Sequence, residues 1–128
     1  MMYSDLLGVR FRLHGRSKEE GFDCYGLVIE VLKRNGIEIP DIYYSSLKED
    51  DSKWEYFNSY FEKVEKPEIN CIVEISSLSQ RRGHMAVYIG EGYIIHSLIK
   101  TGVVIEKLSR YEHRIEGYYV VKNQFIQK

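Results

Sequence analysis

A cysteine at the predicted start of a helix is the residue in this chain best suited to covalent chemistry. Cys24 lies in the stretch GFDCYGLV, where Asp23 suits the N-cap position and apolar residues follow at helical spacing. Unpaired backbone N–H groups and the positive end of the helix dipole stabilise an anion at such a place. We therefore expect the pKa of the Cys24 thiol to be lowered, so that its thiolate can act as a nucleophile. The alternative is that Cys24 is a small buried apolar residue, as most cysteines are.

Gly26, two residues further on, is expected to leave one face of the first helical turn without side chains. A substrate backbone could then come close to the thiol.

Two histidines lie in strands that are predicted to be neighbours. His84 opens one strand, His96 lies inside the next, and the link Gly90-Glu91-Gly92 is short enough for a hairpin. Pairing about Glu91 places His84 opposite roughly Leu98, which makes His96 its diagonal neighbour. A nucleophilic thiol needs a base, and the imidazole that serves as base needs a partner on its other nitrogen. We therefore predict that Cys24 attacks, that His84 is general base and then general acid, and that His96 orients His84.

Other interpretations of these residues stay open. A single histidine in a strand is more often packed or exposed than catalytic. Zinc-type ligands are also present: Cys24, Cys71, His84 and His96. Their spacing contains no Cys-x-x-Cys or His-x-x-x-His pair, so a metal site is not expected. The predicted cysteine chemistry needs no cofactor. His14 and His113 are predicted to be surface or loop residues, with His14 the better placed to line a cleft.

The order of predicted elements indicates an α+β fold. Helices are predicted over residues 2–7, from Cys24 to about Asn35-Gly36, and from about Asp51 to Val64, where aromatic residues recur at three and four positions. Five strands follow, over residues 71–75, 84–89, 93–98, 102–106 and 117–121. Helices first and strands afterwards predict helices packed on one face of a five- to six-stranded antiparallel sheet, in a single domain over residues 1–128.

Composition excludes several classes of protein. The net charge of -1 gives no electrostatic case for nucleic-acid binding. No run reaches the ~20 apolar residues of a membrane span, and the first residues lack the pattern of a signal peptide. We therefore expect synthesis in the cytoplasm, unless the sequence is trimmed at its start or the protein leaves the cell by a route that needs no signal. The 11 tyrosines fit either strand and core packing or a binding cleft lined with rings.

Four motifs, taken together and in order, resemble the NlpC family of cell-wall cysteine peptidases. They are GFDCYGLV, RNGIEIP, GHMAVYIG and YIIHS, and the match runs from about Leu6 to Tyr119. The leading stretch LLGVRFRLHGRS is most similar to the bacteriophage and prophage tail branch. The resemblance implies a papain-like α+β fold and hydrolysis of amide bonds in peptidoglycan stem peptides, typically between D-glutamate and a diamino acid. It places Cys24, His84 and His96 on the family's nucleophile, base and third polar residue.

We also predict a set of substrate-binding residues: Asp23, Tyr25, Phe11, His14 and Ser97. Phe11 departs from the family, which usually has a tyrosine there to help hold the oxyanion. Loss of one such donor can cost ~10²–10³ in rate. Backbone N–H groups at Cys24, or the hydroxyl of Tyr25, are expected to substitute.

The partners implied are a peptidoglycan stem peptide and phage tail proteins, with the protein carried in a virion or released to the cell wall. An intracellular recycling enzyme that trims muropeptides would fit equally well. Two alternatives stay open. Phe11 favours a catalytically weak or inactive domain that binds wall peptide or forms part of a tail tip. A papain-like fold would also serve an amidase or acyltransferase acting on another substrate.

Overall fold

The structure is a computed structural model that describes residues 2–41, 59–77 and 80–122. Its helices are α1 (Cys24–Arg34) and a 3₁₀ helix (Leu108–Arg114). Its strands are β1 (Arg16–Ser17), β2 (Gly21–Phe22), β3 (Phe61–Val64), β4 (Ile72–Ser77), β5 (Gln80–Gly90), β6 (Tyr93–Leu98), β7 (Gly102–Lys107) and β8 (Ile115–Val121).

The predicted helix at Cys24 is confirmed as α1, and both of its ends have a physical cause. At the N-terminus the Asp23 side chain accepts a hydrogen bond from the backbone N–H of Gly26. At the C-terminus the backbone N–H of Asn35 bonds back to the carbonyl of Leu32, and Gly36 follows with a φ of +77°. Its buried face carries apolar side chains at helical spacing: Leu27, Val28, Val31 and Leu32.

The described residues form the predicted antiparallel sheet, with six strands in the order β3-β8-β4-β5-β6-β7. Strands β4 to β7 follow one another as hairpins, and β8 returns to lie between β3 and β4. In the β5–β6 hairpin Val87 pairs with Ile95 and Tyr88 with Ile94, which is the register expected from pairing about Glu91. The α+β fold class is therefore confirmed.

Apolar side chains cover both faces of this sheet because neighbouring residues of a strand point to opposite sides. Met85 of β5 and Ile95 of β6 belong to the larger core cluster, which contains the buried residues of α1. Their neighbours Ala86 and Ile94 belong to a second cluster, against which Leu108 and Tyr111 of the 3₁₀ helix pack. The helix α1 therefore covers one face of the sheet and the 3₁₀ helix covers part of the other.

Two predicted helices are wrong where the structure describes them. Residues 2–8 form consecutive turns, with a hydrogen bond from the N–H of Leu6 to the carbonyl of Tyr3, since so short a segment gains few helical bonds for its nucleation cost. The last residues of the helix predicted over residues 51–64 form β3, where Phe61 pairs with Val121. Pairing with β8 satisfies that backbone and overrides the aromatic spacing. Residues 51–58 lie outside the described residues.

Candidate active site

The carboxylate of Asp23 holds the loop that presents the cysteine. One carboxylate oxygen, Oδ1, accepts hydrogen bonds from the backbone N–H of Gly26 at 2.7 Å and from Nη1 of Arg16 at 2.8 Å. The other, Oδ2, accepts a 2.8 Å hydrogen bond from the backbone N–H of His14. Asp23 is buried, so these bonds compensate the desolvation of its charge. The prediction that Asp23 is the N-cap is confirmed. Through these hydrogen bonds Asp23 holds the start of α1, and therefore Cys24, in position.

The face of α1 that was expected to be open at Gly26 is occupied. A Cβ atom at this position would clash with the carbonyl oxygen of Gly15. Gly26 is thus needed for the turn at Gly15 to pack against the helix start, and the expectation of a substrate approach over it is wrong.

Cys24 lies at the first position of α1 with 3% of its surface exposed. Burial and, to a smaller extent, the nearby Asp23 carboxylate raise the pKa of the thiol to about 12, against the opposing effect of backbone hydrogen bonds from Met85 and Tyr25. The expected lowering of this pKa is therefore wrong, because the loss of hydration outweighs the helix terminus. The resting group is a neutral thiol, which needs a base before it can attack.

His84 and His96 are brought together as predicted. Nε2 of His84 on β5 lies 2.9 Å from Nδ1 of His96 on β6, and the ring centroids are 5.0 Å apart. Burial lowers the pKa of His84 to about 3, and the charges of His96 and Arg114 act in the same direction. Burial also lowers the pKa of the fully buried His96, although Glu106 opposes this. Both rings are thus neutral near pH 7, and a neutral imidazole is the form that can accept a proton.

A third side chain in this line of contacts, Glu106 of β7, was not predicted. Its Oε1 lies 2.7 Å from Nε2 of His96 and accepts a 2.6 Å hydrogen bond from the hydroxyl of Tyr111. Its Oε2 lies 3.1 Å from Nη1 of Arg110. The sequence held a signal for this contact, because β6 and β7 were both predicted. His96 pairs with Val104, so Glu106 stands two residues further along the same face.

The structure places the Cys24 thiol against the strand that carries His84. The thiol of Cys24 interacts with the backbone of Met85, the residue that follows His84. Among the described side chains, the thiol makes no hydrogen bond to either histidine ring. Nε2 of His84 is used by His96, which leaves Nδ1 as the nitrogen that could accept the thiol proton. Such bonds are often long in an active site without substrate.

The hydroxyl groups of Tyr25 and Ser97 both donate hydrogen bonds to backbone carbonyls of the protein. Tyr25 is fully buried and donates a 2.6 Å hydrogen bond to the carbonyl of Pro40, so its hydroxyl is not available as the expected oxyanion donor. Ser97 is buried too and donates a 2.8 Å hydrogen bond to the carbonyl of Phe22. That bond ties β6 to the strand that leads into Cys24. Both residues therefore position the site, and substrate contact by Ser97 stays a prediction.

Phe11 and His14 lie on the approach to the nucleophile loop. Phe11 is half-buried and forms a backbone bridge with Phe22, two residues before Cys24. His14 has an exposed side chain and a φ of +64°. Both are placed near the loop that holds Cys24, and their contact with substrate stays a prediction.

No group of three or more histidine, cysteine, aspartate and glutamate side chains in the described ranges is arranged to hold a metal ion. No helix in the described part of the chain is both long and apolar enough to cross a bilayer.

The chain matches a known protein family and several solved structures. The NlpC/P60 family model matches residues 8–119. A search of curated proteins found no significant match. Among solved structures, the NlpC/p60 domain of the peptidoglycan hydrolase SagA is similar with a TM-score of 0.63 and 16% identity, over 94% of this chain and 93% of that one.

Two further solved structures are similar over a smaller part of their own length. An NLP/P60-family protein similar to a lipoprotein, from Staphylococcus aureus, has a TM-score of 0.68 and 17% identity over 94% of this chain and 39% of its own. An NlpC/P60 family protein from Bacillus cereus has a TM-score of 0.62 and 26% identity over 88% of this chain and 35% of its own. A relation to the phage tail branch stays a prediction. Because the family model spans nearly all of the chain, this protein belongs to the NlpC/P60 family.

Proposed function

We propose that this protein is a cysteine peptidase that hydrolyses amide bonds in peptidoglycan stem peptides. The observation that carries the proposal is the placement of the Cys24 thiol, at the start of α1, beside the strand that bears the paired His84 and His96. Membership of the NlpC/P60 family and the fold shared with the domain of SagA, a peptidoglycan hydrolase, support the substrate class.

The proposed reaction starts from the neutral thiol and the neutral imidazole. Nδ1 of His84 takes the thiol proton while Sγ of Cys24 bonds to the carbonyl carbon of the scissile amide. The proton then passes to the leaving nitrogen, the C–N bond breaks, and a thioester remains on Cys24. Water, deprotonated by His84, hydrolyses the thioester and restores the thiol. Backbone N–H groups at the start of α1 are the proposed donors to the oxyanion.

The bond that we propose is the one between D-glutamate and the diamino acid of the stem peptide. The support for it is the resemblance of the motifs around Cys24, His84 and His96 to those of the family. A location among phage tail proteins rests on the resemblance of residues 6–17 alone.

Defined stem peptides test the proposal. The synthetic peptide L-Ala–D-Glu–diamino acid–D-Ala is incubated with wild type and with Cys24→Ala, and products are identified by mass spectrometry. We expect wild type to cleave the bond between D-Glu and the diamino acid and to release the two dipeptides. Cys24→Ala should release neither. Cleavage at a different amide bond would change the proposed specificity but would still show that the protein is a peptidase. Equal cleavage by both proteins would refute the proposal.

A wall-peptide-binding domain with weak catalysis is the second candidate, favoured by one specific observation. Phe11 has no hydroxyl, and the hydroxyl of Tyr25 is held by Pro40, so neither residue can donate to an oxyanion. In that case wild type and Cys24→Ala would both sediment with purified peptidoglycan, and neither would release peptide.

A further inference from the structure

Glu106 ends a line of hydrogen bonds that runs from the proposed base across two strands. Nε2 of His84 lies 2.9 Å from Nδ1 of His96, and Nε2 of His96 lies 2.7 Å from Oε1 of Glu106. His96 is fully buried, so each of its ring nitrogens must find its partner inside the protein.

The charge of Glu106 decides which atom of each ring carries the proton. An ionised carboxylate only accepts hydrogen bonds, so Nε2 of His96 must donate to it. A neutral imidazole has one N–H, which leaves Nδ1 of His96 as an acceptor. Nε2 of His84 must then donate to that acceptor, and Nδ1 of His84 is left without a proton. The ring is thereby set to accept the proton of Cys24.

The surroundings of Glu106 keep it ionised. Burial alone would raise the pKa of its carboxyl group, but hydrogen bonds from Tyr111 and His96 and the charge of Arg110 lower it overall. Tyr111 also packs edge-on against the ring of His96, with ring centroids 5.4 Å apart. The 3₁₀ helix, which carries Tyr111, therefore contacts both His96 and Glu106. Arg114, on the same helix, is the further cation that acts on His84.

We propose that Glu106 is a positioning residue that fixes the tautomers of His96 and His84, so that Nδ1 of His84 is the acceptor for the Cys24 proton. Its effect on rate rests on the proposed peptidase function, whereas its effect on the rings does not. An uncharged amide at position 106 could donate as readily as it accepts. Both rings could then reverse, which would put a proton on Nδ1 of His84 and remove the base.

Ring nitrogen NMR tests the tautomers without any substrate. The ¹⁵N shifts of wild type at pH 7 should show the proton on Nε2 in both His84 and His96. Glu106→Gln should give a mixture of tautomers, and Glu112→Gln should match wild type. Glu112 is a suitable control because it is exposed on the 3₁₀ helix and pairs only with His113 among the described residues. A proton on Nδ1 of either ring in wild type overturns the proposal, with no variant needed.

Hydrolysis of the stem peptide tests the consequence. Glu106→Gln should lower kcat by about 10²–10⁴-fold with little change in KM, as expected when a base is held in the wrong tautomer. Glu112→Gln should stay within about twofold of wild type. The proposal is overturned if His84 and His96 in Glu106→Gln keep their wild-type tautomers and the variant keeps the wild-type kcat. If wild type shows the expected tautomers but cleaves no stem peptide, the proposed function fails while the role of Glu106 in the rings stands.

Discussion

Nε2 of His84 lies 2.9 Å from Nδ1 of His96, and burial keeps both rings uncharged near pH 7. With His84 uncharged and Cys24 a neutral thiol, the proposed nucleophile and base form no resting thiolate–imidazolium pair. The proton must move during attack, and the pH dependence of the reaction should report this.

Activity should therefore persist well below the usual pKa of histidine. Protonated His84 cannot act as base, so kcat/KM falls as pH drops through the pKa of this ring, which lies at about 3. We expect kcat/KM on a stem peptide to change less than about twofold between pH 7 and pH 5. A loss of half the activity near pH 6.5 would contradict the buried neutral ring. Rates measured in a constant-ionic-strength buffer series decide between the two.

Stability should fall as pH falls below 6.5. The folded-state pKa values of His84 and His96 are lowered, so in this window the unfolded chain binds protons that the folded protein does not. His84, whose pKa in the folded protein is about 3, should then remove roughly 1 kcal/mol of unfolding free energy per pH unit, and His96 should act in the same direction. Urea unfolding at pH 7, 6 and 5 measures this slope. It should be smaller in His84→Asn and unchanged in the control His113→Asn, whose side chain is exposed; a slope of zero in wild type would count against buried neutral rings.

Loss of the Asp23 carboxylate should destabilise the protein strongly. Asp23→Ala removes the helix cap and leaves Arg16, only 18% exposed, without its buried partner. We expect a loss of about 2–3 kcal/mol in unfolding free energy. The control is Asp41→Ala, which removes the other carboxylate on Arg16 but one that is 54% exposed, and it should cost less than about 1 kcal/mol. A similar loss of unfolding free energy in both variants would show that the burial of Asp23 does not determine its contribution to stability.

Restoring a hydroxyl at position 11 should speed the reaction. Phe11 is bridged to Phe22 beside the nucleophile loop, at the position where the resemblance implies a tyrosine. If that hydroxyl reaches the oxyanion, Phe11→Tyr should raise kcat by about 10-fold or more. Phe11→Leu, which adds no donor, is the control. Equal kcat values for wild type and Phe11→Tyr would show that backbone N–H groups suffice.

The sequence predicted the parts of this site that depend on local pattern. Asp23 before an apolar periodic run gave the helix start, and the short link at Glu91 gave the hairpin that pairs His84 with His96. The pKa of Cys24 was predicted in the wrong direction, because burial depends on how β5 packs against α1. Local capping carries no information about that packing. Strand β3 was missed for a similar reason, since its partner β8 lies far along the chain.

Glu106 shows where such reasoning could have gone further. Both strands of its hairpin were predicted, and the register places it on the face of His96. The hydroxyl groups of Tyr25 and Ser97 could not have been assigned in this way, because their acceptors are backbone carbonyls distant in sequence.

The most direct test of the account is the rate of peptide release from purified peptidoglycan by wild type, Cys24→Ala and Cys71→Ala. Cys71 is the matched control because it is the other buried free cysteine and packs in the second core cluster. We expect release by wild type and by Cys71→Ala, and none by Cys24→Ala. Release by Cys24→Ala at the wild-type rate would show that Cys24 is not the nucleophile.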